Sequence, residues 1–298
     1  MNKQNQKVLV IGGSGFLGSA TVEELYKRGY DVFVFDIRKP IRLLNENGIK
    51  YIEGDMLDFE KLDEAIKGKN IVYNFAGIVD LEEANKKPYA TIKTNVIGNL
   101  NILECCVKNN IERYIFASTI YVYSEKGTFY RCSKQISELL IEAYHKKFNL
   151  NYTILRYGSI YGPDAPDNNW IKQILLQALN EKRIVRLGDG EEIREYIHLF
   201  DAAKASVDIL EEKFKNDNII ITGLNSIKIK DLLLMIKEML NNEITIEYKN
   251  GKYDEHYEIT PYTFKPRYGK KYLVNPQIDL GQGILELLYE LDKKKNCK

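Results

Sequence analysis

Cysteine, histidine and net charge are what this 298-residue chain has least of. Cys105 and Cys106 are adjacent, while Cys132 and Cys297 stand alone. That spacing makes neither a disulfide framework nor a metal site, so a reducing compartment is expected. His145, His198 and His256 are scattered, which argues against a histidine-built metal centre. Lys and Arg number 43 against 42 Asp and Glu, a formal charge of +1. No electrostatic case for nucleic acid or an anionic membrane follows from that balance. Any anion bound here must be held by local geometry. No apolar run is long enough to span a bilayer. The polar segment Met1–Lys7 leads straight into a strand and does not read as a signal peptide. A cytoplasmic protein is expected. Internal repeats and low-complexity tracts are also missing.

What the chain does have is alternation. Short β-branched runs lie at Lys7–Ile11, Asp31–Phe35, Lys50–Glu53, Ile71–Phe75, Arg113–Ser118 and Asn151–Arg156. Helical patterns separate them at Gly15–Arg28, Phe59–Ile66, Ala90–Lys108 and Gln135–Phe148. Strands joined by helices of that length imply crossovers and a parallel sheet. The fold class is therefore α/β, a Rossmann-type doubly wound parallel sheet. Beyond Gly162-Pro163 the alternation loosens. Residues 1–162 read as the dinucleotide-binding domain and 163–298 mainly as a smaller α/β substrate lobe. A segment near 195–215 is expected to return to the first domain.

Gly12-Gly13-Ser14-Gly15-Phe16-Leu17-Gly18 follows the first strand and opens the first helix. Glycine lets the backbone turn tightly and approach a pyrophosphate, and the helix start offers free N–H groups. A plain tight turn would use glycines too, but the strand before and helix after favour dinucleotide binding. Asp36 ends the second strand, about 20 residues beyond the glycines, where a carboxylate can take the ribose hydroxyls and repel a 2′-phosphate. That favours NAD over NADP. Arg38 pulls the other way, since an arginine accommodates the 2′-phosphate.

Tyr130 and Lys134 form Y-x-x-x-K. The same spacing recurs at Tyr89/Lys93, Tyr248/Lys252 and Tyr289/Lys293. Tyr130 is singled out because it follows the Arg113–Ser118 strand by a short loop, at the sheet edge where ligands bind. One helical turn puts Lys134 on its face. The lysine charge is expected to favour the phenolate and lower the tyrosine pKa, as a general base requires.

These residues resemble the extended short-chain dehydrogenase/reductase family, in its nucleotide-sugar epimerase/dehydratase branch. The resemblance covers the chain to about Ala205 and loosely beyond. Gly12–Gly18 resembles the family's glycine loop. Asp55-Met56 resembles its adenine-contacting segment, and Asn74-Phe75-Ala76-Gly77 the backbone beside nicotinamide. Asn95 resembles a structural asparagine near the cofactor. Ser118–Tyr123 resembles S-[ST]-x-x-V-Y, which makes Thr119 the residue that hydrogen-bonds the substrate oxygen. Tyr130 is then the base, and Lys134 its partner and a ribose contact. Arg156–Pro163 resembles the segment joining sheet to lobe, with Tyr157 near the cofactor and Ser159 near the substrate. Arg194–His198 resembles R-[DE]-[FY]-I-[HY], whose arginine contacts the substrate diphosphate. Arg267 is a candidate second diphosphate contact, or a solvated loop cation. The resemblance implies a nucleoside-diphosphate sugar as substrate, no metal, and a homodimer built on helices like 90–108 and 135–148.

Several positions depart from the family pattern. Ile120 and Tyr121 stand where 4,6-dehydratases carry an acidic pair, and neither transfers the protons that water elimination needs. The loop before Tyr130 is shorter than usual, and Ser159 replaces a common asparagine. The leading expectation is an NAD-dependent C4 epimerase working through a keto-sugar. A 4-dehydrogenase or 4-ketoreductase would use the same three residues. A non-catalytic NAD-binding module is the expectation of another class.

Overall fold

The computed structural model describes residues 6–39, 48–251, 258–259 and 261. In chain order the first half contains β1 (Lys7–Ile11), α1 (Phe16–Lys27), β2 (Asp31–Asp36), β3 (Lys50–Glu53), α2 (Phe59–Ile66), β4 (Ile71–Asn74), α3 (Leu81–Lys86), α4 (Pro88–Ile92), α5 (Gly98–Lys108), β5 (Arg113–Thr119), α6 (Thr128–Phe148) and β6 (Tyr152–Tyr157). There follow β7 (Ser159–Tyr161), α7 (Trp170–Glu181), β8 (Arg183–Leu187), β9 (Ile193–His198), α8 (Leu199–Asp208), β10 (Asp217–Ile221), β11 (Ser226–Lys228), α9 (Ile229–Met239) and β12 (Thr245–Lys249).

Seven strands make one sheet in the order β10-β6-β5-β4-β1-β2-β3. Every neighbouring pair is parallel. Period-two alternation sends successive side chains of β1 to opposite faces. Val8 and Val10 join Val22 and Leu25 of α1 and Val207 of α8. Leu9 and Ile11 join Leu62 of α2, Ile102 and Leu103 of α5, and Ile141 of α6. A strand covered on both faces must be apolar at every position, which is why β1 reads as an unbroken hydrophobic run. Each fully buried aliphatic side chain contributes about 1.5–3 kcal/mol.

The connection from β1 runs through α1, and the one from β4 runs toward α5 on the other face. The strand order therefore reverses between β1 and β4, and their carboxyl ends flank a crevice. The helical pattern expected over Ala90–Lys108 is interrupted. Between α4 and α5 the segment Lys93–Ile97 is a π turn, which adds a residue to the helical repeat. The helical pattern over Gln135–Phe148 belongs to a helix that begins at Thr128, so Tyr130 lies in its first turn. Gly127 opens it with φ +87°, a conformation glycine takes without Cβ strain.

After β6 the chain builds a three-stranded sheet, β11-β9-β7, and a parallel pair, β12-β8. Ile174, Ala178, Ile184, Leu232, Leu233 and Ile236 form a separate apolar cluster there. Helix α8, inside the 195–215 segment, packs against α1, and Asp208 holds Arg28 at 2.6 Å. Strand β10 then adds to the large sheet beside β6. Among the described residues, no helix is long and apolar enough to cross a membrane. Arg267 lies outside the described residues.

Candidate active site

Because the large sheet is parallel, the carboxyl ends of β1, β4, β5 and β6 share one edge. Four segments meet there: Gly12–Gly18, Asn74–Gly77, Ser118–Tyr123 and Tyr157–Ser159.

Gly12 has φ +78°, and a Cβ on it would lie 2.5 Å from the Ala76 nitrogen. A Cβ on Gly18 would lie 2.2 Å from the Gly12 carbonyl oxygen. Both glycines are required by backbone meeting backbone, not by turn propensity alone. Gly15 is the N-cap of α1, and no side chain caps that end. The first-turn N–H groups are thus offered to an anion. The side chains of Phe16 and Leu17 pack toward Leu199 and Ala203 of α8, leaving their backbone at the loop.

Asp36 is buried, and its two carboxylate oxygens accept from Ser14 N (2.9 Å) and Arg38 N (3.0 Å). The Ser14 hydroxyl donates to the Arg38 carbonyl at 2.7 Å. Asp36 is therefore a brace of the glycine loop as well as a candidate ribose acceptor. Each carboxylate oxygen keeps a second lone pair for that task. The Arg38 side chain is exposed. Asp55 is exposed and accepts from Leu57 N. Met56 points the other way, into the core beneath Gly98. Of this pair, Met56 can meet adenine only through its backbone, while the exposed Asp55 keeps a side chain for it.

Asn74 turns its side-chain oxygen to Ala76 N (3.1 Å) and shapes the Phe75–Gly77 bend. Phe75 stacks on Tyr73, with ring centres 5.8 Å apart. The π turn delivers Asn95 to this bend. Its side-chain oxygen accepts from Ile78 N (2.7 Å), and its amide donates to Ile78 O and Ser133 Oγ (both 2.9 Å). Ser133 in turn donates to the Tyr130 carbonyl at 2.7 Å. Asn95 thus ties the β4 loop to the helix bearing Tyr130.

Thr119, Tyr130 and Lys134 are all buried, and the Thr119 hydroxyl hydrogen-bonds Tyr130. Lys134 Nζ donates to the Ala117 carbonyl at 2.7 Å and sits 5.9 Å from the Tyr130 ring centre. The expected lowering of the tyrosine is corrected here. Burial pushes the Tyr130 hydroxyl up to about 12, opposed by the Thr119 hydrogen bond. Burial also holds Lys134 down to about 8, opposed by the Glu138 charge. Desolvation dominates both shifts because both groups sit away from water.

Tyr121 packs edge-on against Tyr130, ring centres 6.2 Å apart, and Ile120 is buried. An aromatic ring thus stands where proton-transferring carboxylates would be needed for elimination. Tyr157 is a core residue: its hydroxyl meets Ser206 Oγ of α8 at 2.6 Å, so only its backbone is left for a ligand. Ser159 is half-buried on β7. Arg194 is buried on β9, donating to the carbonyls of Ile193 (3.1 Å) and Glu258 (3.2 Å). Of the other Y-x-x-x-K tyrosines, Tyr89 and Tyr248 are exposed, and Tyr289 lies outside the described residues.

Sequence reasoning missed Glu138, which Arg156 grips through Nε (3.0 Å) and Nη2 (2.7 Å). The signal was present: Glu138 is four residues after Lys134, on one helical face. Among the described residues no cluster of His, Cys, Asp and Glu could hold a metal ion.

Comparison with known proteins gives this geometry a setting. A putative UDP-glucose 4-epimerase of Methanocaldococcus jannaschii is 28% identical, over 93% of this chain and 95% of its own. A UDP-N-acetyl-alpha-D-glucosaminuronate decarboxylase of Bacillus cytotoxicus is 29% identical, over 81% of this chain and 82% of its own. A solved UDP-N-acetylglucosamine 4-epimerase of Methanobrevibacter ruminantium, in complex with UDP-N-acetylmuramic acid, superposes with a TM-score of 0.79 at 25% identity, covering 88% of this chain and 90% of that one. The family model matches residues 8–222, well over half of the sequence: the chain belongs to the NAD dependent epimerase/dehydratase family.

Proposed function

We propose that this protein is an NAD-dependent nucleotide-sugar epimerase that inverts the sugar's C4 through a keto-sugar. The observation that carries the reading is the buried Thr119–Tyr130–Lys134 set, placed on the same sheet edge as the glycine loop. NAD, when bound, supplies the hydride acceptor and, while oxidised, a positive charge. The chain's own residues do the rest. Gly12–Gly18 and the start of α1 hold the pyrophosphate, and Asp36 holds the adenosine ribose and favours NAD over NADP. The Phe75–Gly77 backbone and Lys134 hold the nicotinamide end. Thr119 fixes the sugar hydroxyl, and Tyr130 takes its proton and later gives it back. Burial favours the protonated Tyr130, so it becomes a base only when opposite charge gathers around it. Arg194 and Ser159 serve the diphosphate region. NAD is assigned to residues 1–162 with the α8 segment, and the sugar nucleotide to the lobe after 163.

A 4-dehydrogenase or ketoreductase would use the same residues with net redox, so the product decides. A purely regulatory NAD-binding module is disfavoured because all three catalytic side chains are present and buried together. Support for a homodimer comes from exposed apolar residues on the α5–α6 side, Ile97, Ile136 and Leu139. Free cysteines at 105, 106 and 132 fit a cytoplasmic location.

The test is turnover of a panel of nucleoside-diphosphate sugars with NAD, following NADH absorbance and the sugar by NMR. An epimerised sugar without net NADH supports the proposal. A ketosugar with accumulating NADH, or no turnover with NAD still bound, overturns it.

A further inference from the structure

Residues 162–169 join β7 to α7 and fold back onto the start of that helix. Asn169 N donates to Pro166 O (2.9 Å), and Lys172 Nζ donates to Ala165 O (2.8 Å) and pairs with Asp167 (2.7 Å). Asn169 caps α7 by accepting from Lys172 N (3.2 Å), and its amide donates to Ile160 O on β7 (2.9 Å). Asn168 reaches the other way: its Nδ2 donates to Asp80 Oδ2 at 2.7 Å. Asp80 stands beyond the Asn74–Gly77 bend, and its other oxygen caps α3 by accepting from Glu83 N (2.8 Å). The sheet order gives this contact its meaning. The loop is fed from β6 and Asp80 from β4, while β5 runs between them with Thr119 at its carboxyl end. The loop and Asp80 together bridge two strand spacings, roughly 10 Å, across the end of the strand that carries Thr119. At the far end of α3, the Thr128 hydroxyl donates to Asn85. Thr128 has φ +28°, a strained value for a β-branched residue, two positions before Tyr130.

We propose that residues 163–169 form a flap, latched by Asn168 on Asp80, that holds the keto-sugar over Thr119 and Tyr130 until the second hydride transfer. The retention role rests on the keto-sugar reading given above, whereas the latch itself does not. An epimerase has to keep its oxidised intermediate, because each keto-sugar that escapes leaves NADH behind and ends the cycle as a net oxidation. Closing a site over such an intermediate excludes water and commits it to the return step. A latch that opens for every entry and exit also has to be weak. Asn168 is exposed and Asp80 half-buried, so water competes for both. One hydrogen bond in that setting shifts the ratio of closed to open flap by about three- to tenfold. Helix α3 ties Asp80 to Thr128, so the closed flap and the start of the helix bearing Tyr130 share one brace.

The test is an exchange of partners. Asn168→Asp sets two carboxylates face to face and opens the latch. Adding Asp80→Asn rebuilds it with the roles reversed, because asparagine also caps helices and its amide donates to the new carboxylate. With a nucleotide sugar that the wild type turns over, Asn168→Asp is expected to raise both KM and the share of turnovers that end as free keto-sugar by about three- to tenfold. NAD affinity should stay put, and the double variant should return both quantities to near the wild-type values. No change in Asn168→Asp, or a loss that the double variant leaves in place, overturns the proposal. Trp170, the chain's single tryptophan, follows Asn168 at the start of α7 and reports the latch without turnover. Its quenching by acrylamide in the ligand-free protein should rise in Asn168→Asp and fall back in the double variant. That pattern with no sugar turned over supports the latch and sinks the epimerase reading. Turnover with quenching unmoved across the three proteins overturns the latch alone.

Discussion

Replacing Asn95 with alanine removes three hydrogen bonds at once, two to the Ile78 backbone and one to Ser133 Oγ. At about 1 kcal/mol net per bond the loss is near 3 kcal/mol. Two details set the lower side of that figure. Ile78 is half-buried, so water can reach its freed N–H and C=O. Ser133 keeps its own bond to the Tyr130 carbonyl. A fall of about 2–3 kcal/mol is expected, which for a domain of this size lowers Tm by roughly 4–10 °C. Urea and thermal unfolding followed by circular dichroism measure it. Lys93→Ala, exposed on the same π turn, is the control and should stay within about 0.5 kcal/mol of wild type. Turnover should fall further than stability alone explains, because the bend at Gly77 is no longer tied to the helix of Tyr130. An Asn95→Ala protein as stable as the Lys93→Ala protein would refute the tie.

Four other outcomes are expected. Tyr130→Phe should lower turnover by about 10²–10⁴-fold while NAD titration stays near wild type; full activity would remove the base assignment. Asp36→Ala should raise the NADP-to-NAD affinity ratio and also weaken NAD about tenfold, since the Ser14 and Arg38 N–H groups lose their acceptor; unchanged affinity for both cofactors would contradict that role. Lys134 is held down to about 8 in the folded chain, against about 10.4 unfolded. Between those values the unfolded chain binds more protons, so folding gains stability as pH rises. Urea midpoints of wild type and Lys134→Met at pH 7.5 and 9.5 should therefore shift in the wild type's favour at the higher pH, and a constant gap would contradict the burial argument. Leu139→Arg should yield monomers by analytical ultracentrifugation if the α5–α6 side pairs two copies, and an unchanged mass would reject that face.

The sheet was legible because its central strands are buried on both faces. That constraint makes Lys7–Ile11 visible as a short run with the bounds the structure gives it. The π turn at Lys93–Ile97 was not legible, because an apolar pattern over 90–108 looks the same with or without one inserted residue. Motif matching located backbone segments but not side-chain directions. Met56 and Tyr157 sit in matched segments yet send their side chains into the core. Glu138 and Arg156 are charges that sequence reading places on the surface by default. Their pairing joins a helix to a strand 18 residues on, visible only in three dimensions. The sign of the Tyr130 shift was missed for a related reason: charge proximity shows in spacing, while desolvation does not.

The strand order also bears on how the chain is made. Of the strands in this sheet β1 leaves the ribosome before the others, yet it sits inside the sheet, between β2 and β4. Translation at about 5–20 residues per second separates the end of β1 from the end of β4 by roughly 3–12 s. For that time the most apolar strand has one edge unpaired. The α1 helix and β2 can cover one side early, but the wall that Ala76 builds against Gly12 arrives only with β4. The nascent chain thus has a glycine loop before it has a crevice, and the interval is when a chaperone or an early-bound nucleotide would matter most.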